Sequence, residues 1–296
     1  MKGLAGVLIV IGLCTSSFSQ DLMHQMLETE RAFAKSAFES GPRTAFVGFL
    51  ADDSIIFRPN ALNGTEFWRS NTDPLSLILV RKSIYSDIAS NGLMGYTTGN
   101  WRTFTRGKGE SQAEFGQFVS IWEKRGKEQF QIALDIETKH DKLPFFETDR
   151  VLRAKRSKDL NKRGWSPADA SMNFFRDSMG PGALGGAYER FAADDVRILI
   201  DRRPPILGKK YVVSEMKRYL SIAFPARVVS HQAADMAYVW NPCEYANSNE
   251  GLEKGNCLHV WKLRNKKWWI VLGVFAAVPN DDLPTLKRSI ERKKKQ

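Results

Sequence analysis

Two aromatic-rich segments separated by a charged turn decide the fold: Phe115-Gly-Gln-Phe-Val-Ser-Ile-Trp122 and Phe130-Gln-Ile-Ala-Leu-Asp-Ile136. Aromatic and branched side chains favour strands, and the Lys-Arg-Gly-Lys-Glu between the segments is typical of a solvated turn. The pattern returns as Gly255-Asn-Cys-Leu-His-Val-Trp261, followed by Trp268-Trp-Ile-Val-Leu272. The sequence therefore predicts two β-hairpins of the same design.

Other positions recur at nearly the same spacing. Trp122 returns as Trp261, 139 positions later, and the turn Ala51-Asp-Asp53 returns as Ala193-Asp-Asp195, 142 positions later. Self-similarity at a fixed spacing is the signature of a repeated unit. The spacing predicts one domain present in two tandem copies, and it favours a structural role for the recurring tryptophans.

The N-terminus has the pattern of an export signal. Lys2 precedes the apolar run Leu4–Leu13, which is too short to span a membrane as a helix. Ser17-Phe-Ser19 fits the small-x-small cleavage rule, so Gln20 is the expected first mature residue. We expect an exported protein, periplasmic or extracellular.

Composition shifts divide the chain into domains and basic segments. The expected organisation is a signal peptide (1–19), a first domain (20–138), a basic linker (139–167), a second domain (168–280) and a basic tail (281–296). A short helix is expected between Asp149 and Leu160.

The net charge of +11 is concentrated outside the domains. Residues 150–163 carry +6, residues 287–295 carry +5, and Lys2 adds one, so the remainder of the chain is at −1. A nucleic-acid-binding protein carries its basic residues on the folded surface. We therefore expect no nucleic-acid partner; contact of the basic segments with an acidic envelope surface stays open beside plain solvation.

Cleavage would leave two cysteines, Cys243 and Cys257. An even pair in an oxidising compartment favours a disulfide. With a hairpin turn centred on Glu250, the two would lie directly opposite each other, within disulfide reach. Two free buried thiols are the alternative.

The order of elements in each copy is a helix, the small-Asp-Asp turn, a strand, a glycine-containing loop, a second helix and long strands. The residues that carry this order best are Phe49–Phe57, Asn63-Gly64, Gly95–Gly99 and the opening hairpin. This order resembles the nuclear transport factor 2-like superfamily, which includes ketosteroid isomerase and SnoaL-like polyketide cyclases. The resemblance implies an α+β fold of two tandem cone-shaped domains, each a strongly curved, mostly antiparallel sheet wrapped around N-terminal helices.

The resemblance also implies a pocket at the open end of each cone, suited to a small apolar or amphipathic molecule. The base of the isomerase would lie just after the Asp-Asp strand, where this chain has Arg58 in one copy and Ile200 in the other. Asp201 lies one position late, and the first helices lack the tyrosine that the isomerase uses. The isomerase residues are therefore not expected, unless a one-residue shift restores Asp201.

Asp135 is the other candidate catalytic residue. Strand alternation would place Gln131, Ala133 and Asp135 on one face, opposite Phe130, Ile132, Leu134 and Ile136. A carboxylate near the mouth of a cone could act as a general base. A solvated or interface aspartate is the alternative.

Aromatic residues on the curved strands are the candidate ligand-binding residues: Tyr96, Trp101, Tyr238 and Trp240. Their rings could lie against an apolar ligand, or they could pack in the core. The histidines lack metal-ligand spacing and no phosphate-binding glycine loop is present, so we expect neither metal nor cofactor.

The last strand is apolar on both faces, with Trp269, Val271 and Phe275 expected on its outer face. Such a strand favours packing against the first copy, as an intrachain pseudo-dimer, or against another chain, as a homodimer.

Three functions fit these patterns. The first is an exported protein that binds a small apolar or amphipathic molecule. The second is an isomerase, dehydratase or cyclase that uses Asp135 or Asp201, and the third is a protein-interaction module.

Overall fold

The computed structural model describes residues 7–71, 76–108, 112–126, 129–143, 151–154, 165–223, 229–247 and 251–278. The start of the predicted signal peptide and the predicted basic tail lie outside these residues, and so does most of the predicted basic linker.

The first half begins with helices that pack against a sheet. The helices are α1 (Val7–Ser40), α2 (Pro42–Phe49) and α3 (Gly64–Ser70). The strands are β1 (Leu50–Phe57), β2 (Ala61–Asn63), β3 (Leu77–Ile88), β4 (Met94–Thr105), β5 (Glu114–Arg125), β6 (Gln129–His140) and β7 (Leu152–Arg153).

The second half repeats this order. Its helices are α4 (Pro167–Ser178), α5 (Ala183–Phe191) and α6 (Lys209–Met216). Its strands are β8 (Ala192–Ile200), β9 (Ile206–Leu207), β10 (Tyr219–Ala223), β11 (Val229–Ala233), β12 (Met236–Asn247), β13 (Gly251–Arg264) and β14 (Lys267–Ala277).

Each half forms its own open sheet. The strand order is β2-β1-β6-β5-β4-β3-β7 in the first and β10-β12-β13-β14-β8-β9 in the second, where β11 also pairs with β12. The long neighbouring strands are antiparallel, and β1 and β8 pair in parallel with β6 and β14. The predicted α+β fold of two helix-and-sheet units is confirmed.

The helices of each half cover one face of its sheet. The buried side of α1 carries Met23, Met26 and Phe33 at helical spacing, and the Phe33 ring lies 6.4 Å from Trp122. In the second half, Phe174 of α4 lies 6.2 Å from Trp261. The recurring tryptophans therefore fill equivalent positions in two apolar cores.

The segment between the halves differs from the sequence expectation. β6 continues to His140, and Leu152 and Arg153 pair in parallel with Tyr85 and Ser86 of β3. The helix predicted between Asp149 and Leu160 is therefore wrong at Leu152 and Arg153, because the open edge of β3 offers backbone partners to an extended segment.

Cys243 and Cys257 are joined by a disulfide, with their Cα atoms 5.9 Å apart. Their predicted register is wrong by two residues, because Cys243 pairs with Gly255 and Cys257 with Asn241. The cysteines are diagonal rather than opposite neighbours across β12 and β13. Both side chains are buried in the core of the second half.

The predicted cleavage point after Ser19 lies within α1, which is continuous from Val7 to Ser40. None of the described helices combines the length and hydropathy that a membrane span requires.

The outer faces of the two sheets pack against each other. One apolar cluster contains residues of both halves, among them Tyr96, Ile121 and Leu134 of the first and Val260 and Val274 of the second. Part of the uncovered face of each sheet is therefore buried by the other half of the same chain.

A buried ion cluster crosses this interface. The Lys262 ammonium lies 3.2 Å from Asp87 and 3.4 Å from Asp235, and it donates to the Ile88 carbonyl at 2.6 Å. Asp235 also accepts from the Ser90 backbone N–H at 2.6 Å. Burial raises the pKa of Asp87. The cluster ties β13 of the second half to the end of β3 in the first.

We expect Lys262→Met to lower the free energy of unfolding by about 3–5 kcal/mol, because two buried carboxylates lose their counter-charge. Urea unfolding at neutral pH measures the change. The matched control is Lys254→Met, which removes a half-exposed pair with Glu244 and should cost less than about 1 kcal/mol. Equal losses in the two variants would contradict the role of the cluster.

Candidate functional site

A cavity of about 530 Å³ lies between the two halves. The first half contributes the outer faces of β3, β4 and β5 through Val80, Lys82, Ile84, Asn100, Arg102, Phe115 and Gln117. The second half contributes Arg197, Pro204, Pro205 and Leu207. The cavity is of the size that small-molecule sites have in proteins, and its walls are mainly apolar.

Strand alternation explains this wall. Leu79 and Arg81 of β3 point into the first core, so Val80 and Lys82 point outward. Gly116 lies at the floor, where a Cβ would come within 1.9 Å of the Thr138 carbonyl and 2.6 Å of the Trp101 ring. The strands approach so closely here that only glycine fits.

Asp201 holds the two halves together beside the cavity. It accepts the backbone N–H of Lys139 at 2.7 Å and that of Ala277 at 2.5 Å, while the Arg202 N–H donates to the Lys139 carbonyl at 2.6 Å. Burial raises the pKa of Asp201. Its carboxylate joins two strand ends and does not line the cavity.

A row of polar side chains crosses the cavity wall from β4 to β6. The Gln117 amide nitrogen donates to Asn100 Oδ1 and lies 3.3 Å from His140 Nε2, while His140 Nδ1 lies 2.7 Å from the Asp141 carbonyl. Because a carbonyl only accepts, Nδ1 carries the proton and Nε2 accepts from Gln117. The amide nitrogen of Asn100 has no protein partner among the described residues, so it can donate to a ligand.

The charge of the wall is one-sided. Lys82, Arg102 and Arg197 line the cavity, and none of the described lining residues is an aspartate or a glutamate. The wall therefore combines an apolar surface with positive charge.

Asp135 lies elsewhere, inside the first core. The face of the strand predicted for Asp135 is wrong. Ile121 pairs with Leu134, and the next residue, Trp122, pairs with Ile132. Ala133 is therefore an extra residue without a partner on β5. This β-bulge reverses the alternation. Asp135 therefore shares the core side with Ile132, and Leu134 lies at the interface between the halves.

Asp135 is part of a buried polar network. It accepts from Arg81 at 3.0 Å and from Ser120 at 2.6 Å, and all three side chains are buried. Glu30 of α1 accepts from Thr97 at 2.7 Å in the same core, and burial raises the pKa of its carboxyl. The network supplies Asp135 with a counter-charge, and a substrate would have to open the core to reach it.

The second half has different chemistry at the same place. Gly273 occupies the position of Asp135, and His259 occupies that of Ser120. His259 Nε2 lies 2.7 Å from the Tyr188 hydroxyl, and a Cβ on Gly273 would come within 3.3 Å of both side chains. Burial lowers the pKa of His259 to about 3, so the imidazole is neutral at physiological pH.

Trp101 is the one predicted aromatic that lines the cavity; its Nε1 donates to the Gln117 carbonyl at 3.1 Å. The other three lie at the packed interface between the halves. Tyr96 is fully buried, Tyr238 stacks on His231 with ring centres 4.9 Å apart, and Trp240 contacts Phe57 edge to face at 5.5 Å. The structure does not bring these four rings together.

Sequence reasoning missed the residues that the second half contributes to the cavity. One signal was present, since Arg197 is the charged residue within the apolar strand Val196–Ile200. A charge on a strand that is apolar on both sides marks a position with a special partner or ligand. No feature of the local sequence predicts that Pro204 and Leu207 face β3.

The chain is similar to nuclear transport factor 2-like proteins of solved structure, as its sequence predicts. One, from Cytophaga hutchinsonii, is 14% identical over 38% of this chain and 100% of its own, with a TM-score of 0.34. A protein of unknown function from Pseudomonas putida is 14% identical over 40% of this chain and 93% of its own, at 0.32.

A protein of unknown function with a cystatin-like fold, from Nostoc punctiforme, is 11% identical over 38% of this chain and 89% of its own, at 0.31. Comparison with protein-family models gave no match, and neither did comparison with curated proteins.

The neutral state of His259 predicts a specific acid sensitivity. The folded pKa is about 3 against an ordinary 6.5, so this contribution to stability is complete above pH 6.5 and is lost as the pH falls toward 3. We expect the free energy of unfolding to fall in this window by up to about 1.4 kcal/mol per pH unit from this group.

His259→Gln keeps a hydrogen-bonding group for Tyr188 and removes the proton uptake, so the acid slope should be shallower in this variant. Urea unfolding between neutral pH and pH 4 measures both slopes. The control is His231→Gln, since this imidazole is about half exposed. An unchanged slope in His259→Gln would refute the assignment.

Proposed function

We propose that this is an exported protein that binds a small apolar or amphipathic molecule in the cavity between its halves. The observation that carries the proposal is the cavity itself: about 530 Å³, with walls from both copies of the repeat. Sites of this size at the junction of two domains are common places for small ligands.

Exposed apolar side chains in the wall support a ligand. Leu152 is 54% exposed and Leu207 is 48% exposed, and both line the cavity. Removing apolar surface from water yields about 25 cal/mol per Å². An apolar ligand group that covered these leucines would gain this free energy.

The positions of Asp135 and Asp201 favour a binding function over catalysis by either carboxylate. Asp135 is buried with Arg81 in the first core, and Asp201 accepts two backbone N–H groups at the strand ends. Neither lines the cavity. An isomerase, dehydratase or cyclase reaction would need a group other than these two.

Export is supported by the N-terminal sequence and by the disulfide. Disulfides persist in oxidising compartments and are rare in reducing ones. Sequencing the N-terminus of the protein from the envelope or medium of its own host should give Gln20 as the first residue. A chain that keeps Met1 and stays with the cytoplasmic fraction would refute export.

Binding can be tested by placing a charge in the apolar wall. We expect the native protein to bind the neutral fluorescent probe N-phenylnaphthylamine, and Leu207→Glu to weaken binding about tenfold or more, because a carboxylate in an apolar wall must stay hydrated. Fluorescence titration measures both affinities.

The matched control is Leu93→Glu, since Leu93 is also 48% exposed but lies outside the cavity, in the turn between β3 and β4. Its affinity should equal that of the native protein. If the native protein does not bind the probe, or both variants bind equally well, the cavity is not the site. Native mass spectrometry of protein from its own host would then detect any ligand carried elsewhere.

A further inference from the structure

Three cations line the cavity, Lys82 and Arg102 from the first half and Arg197 from the second. A low-dielectric cavity strengthens the interaction between a cation in its wall and an anion that enters it.

Arg197 is the informative residue of the three. Its guanidinium carbon lies 4.0 Å from the centre of the Tyr85 ring, across the boundary between the halves. Its Nε is buried without a hydrogen-bond partner, and none of the described carboxylates forms an ion pair with it. An aromatic face attracts and orients a cation, but it carries no formal charge.

Neighbouring arginines of the second half do form ion pairs with carboxylates. Arg264 contacts Asp195 at 2.6 Å, Arg202 pairs with Glu253, and Arg203 pairs with Glu215. Arg197 thus lies against Tyr85 in the wall of a cavity, and none of the described carboxylates is paired with it. A partly buried cation in this state is stabilised when an anion binds beside it.

We infer that the ligand is an amphipathic anion, with a carboxylate, sulfate or phosphate head bound by Arg197 and an apolar part against Val80, Ile84 and Leu207. This inference rests on the proposed function and specifies the class of its ligand. A planar guanidinium matches the geometry of such heads by donating two parallel hydrogen bonds.

Three ligands with the same tail and different heads separate charge from apolar contact: decanoate, decanol and decyltrimethylammonium. Their dissociation constants for the native protein are measured by isothermal titration calorimetry, below the concentrations at which they form micelles. We expect decanoate to bind at least about tenfold more tightly than decanol, and the cation to bind most weakly.

Arg197→Met keeps an unbranched side chain against Tyr85 and removes the charge. It should weaken decanoate binding about tenfold and leave decanol binding within about twofold. The control is Arg176→Met, which makes the same change of net charge on the exposed surface of α4. It should leave all three affinities unchanged.

The outcomes distinguish the anionic ligand class from the proposed binding function on which it rests. Equal binding of decanoate and decanol by the native protein overturns the anionic ligand and leaves the binding function standing. A preference for decanoate that survives in Arg197→Met overturns the role of Arg197. If none of the three ligands binds, the proposed function fails and the ligand class fails with it.

Thermal unfolding of Arg197→Met is measured first, because an unfolded variant would give no information on the role of Arg197. If Arg197→Met is unfolded, the native protein is titrated at about 0.01 M and at about 1 M salt, which shortens the Debye length from about 30 Å to about 3 Å. The preference for decanoate should shrink at high salt, and a preference independent of salt overturns the inference.

Discussion

The packing of two sheets through their outer faces is the constraint on which the rest of the structure depends. Each sheet is open, and its helices cover only one side. The other side carries the apolar residues of the shared cluster, such as Leu134 and Val274, which would be exposed in a single copy. Because both copies lie on one chain, burying these faces does not cost the translational freedom that two separate molecules would lose. Lys262 adds a polar contact across this interface, since its buried ammonium is paired with Asp87 of the first half as well as with Asp235 of the second.

The same packing decides where a ligand-sized cavity lies. The family resemblance implies a pocket at the open end of each cone, whereas the cavity of about 530 Å³ lies between the two halves. The first part of β3, the last part of β4 and the first part of β5 have outer faces that extend beyond the shared cluster and line the cavity. The loop after β8 forms the opposite wall of the cavity. The cavity is therefore a product of the duplication, and neither copy alone would have it.

The two copies keep the architecture and change the chemistry inside it. Trp122 and Trp261 fill equivalent positions, and each copy has a β-bulge at the same point, with Ala133 and Val271 as the extra residues. Next to these conserved features, the first core buries a charge with its counter-charge, whereas the second buries a neutral imidazole against a tyrosine. In both cores the buried carboxylate or imidazole has a hydrogen-bond partner, Arg81 for Asp135 and Tyr188 for His259.

The sequence by itself determined the duplication and the order of elements, because these follow from local periodicity and from spacing along the chain. Its resemblance to the nuclear transport factor 2-like superfamily implied the α+β class, and its even pair of cysteines favoured the disulfide without excluding free thiols. Only the tertiary structure decided which face of the sheet each side chain occupies after a bulge. The extra residue Ala133 places Asp135 in the first core. The extra residue Val271 moves Phe275 from its predicted outer face into the second core. The tertiary structure also decided the two-residue shift between the cysteine-bearing strands, and it brought Arg197 to Tyr85, 112 positions away. Alternation along a strand carries no information on where one residue is inserted or which distant strand lies opposite, since those are set by packing between elements.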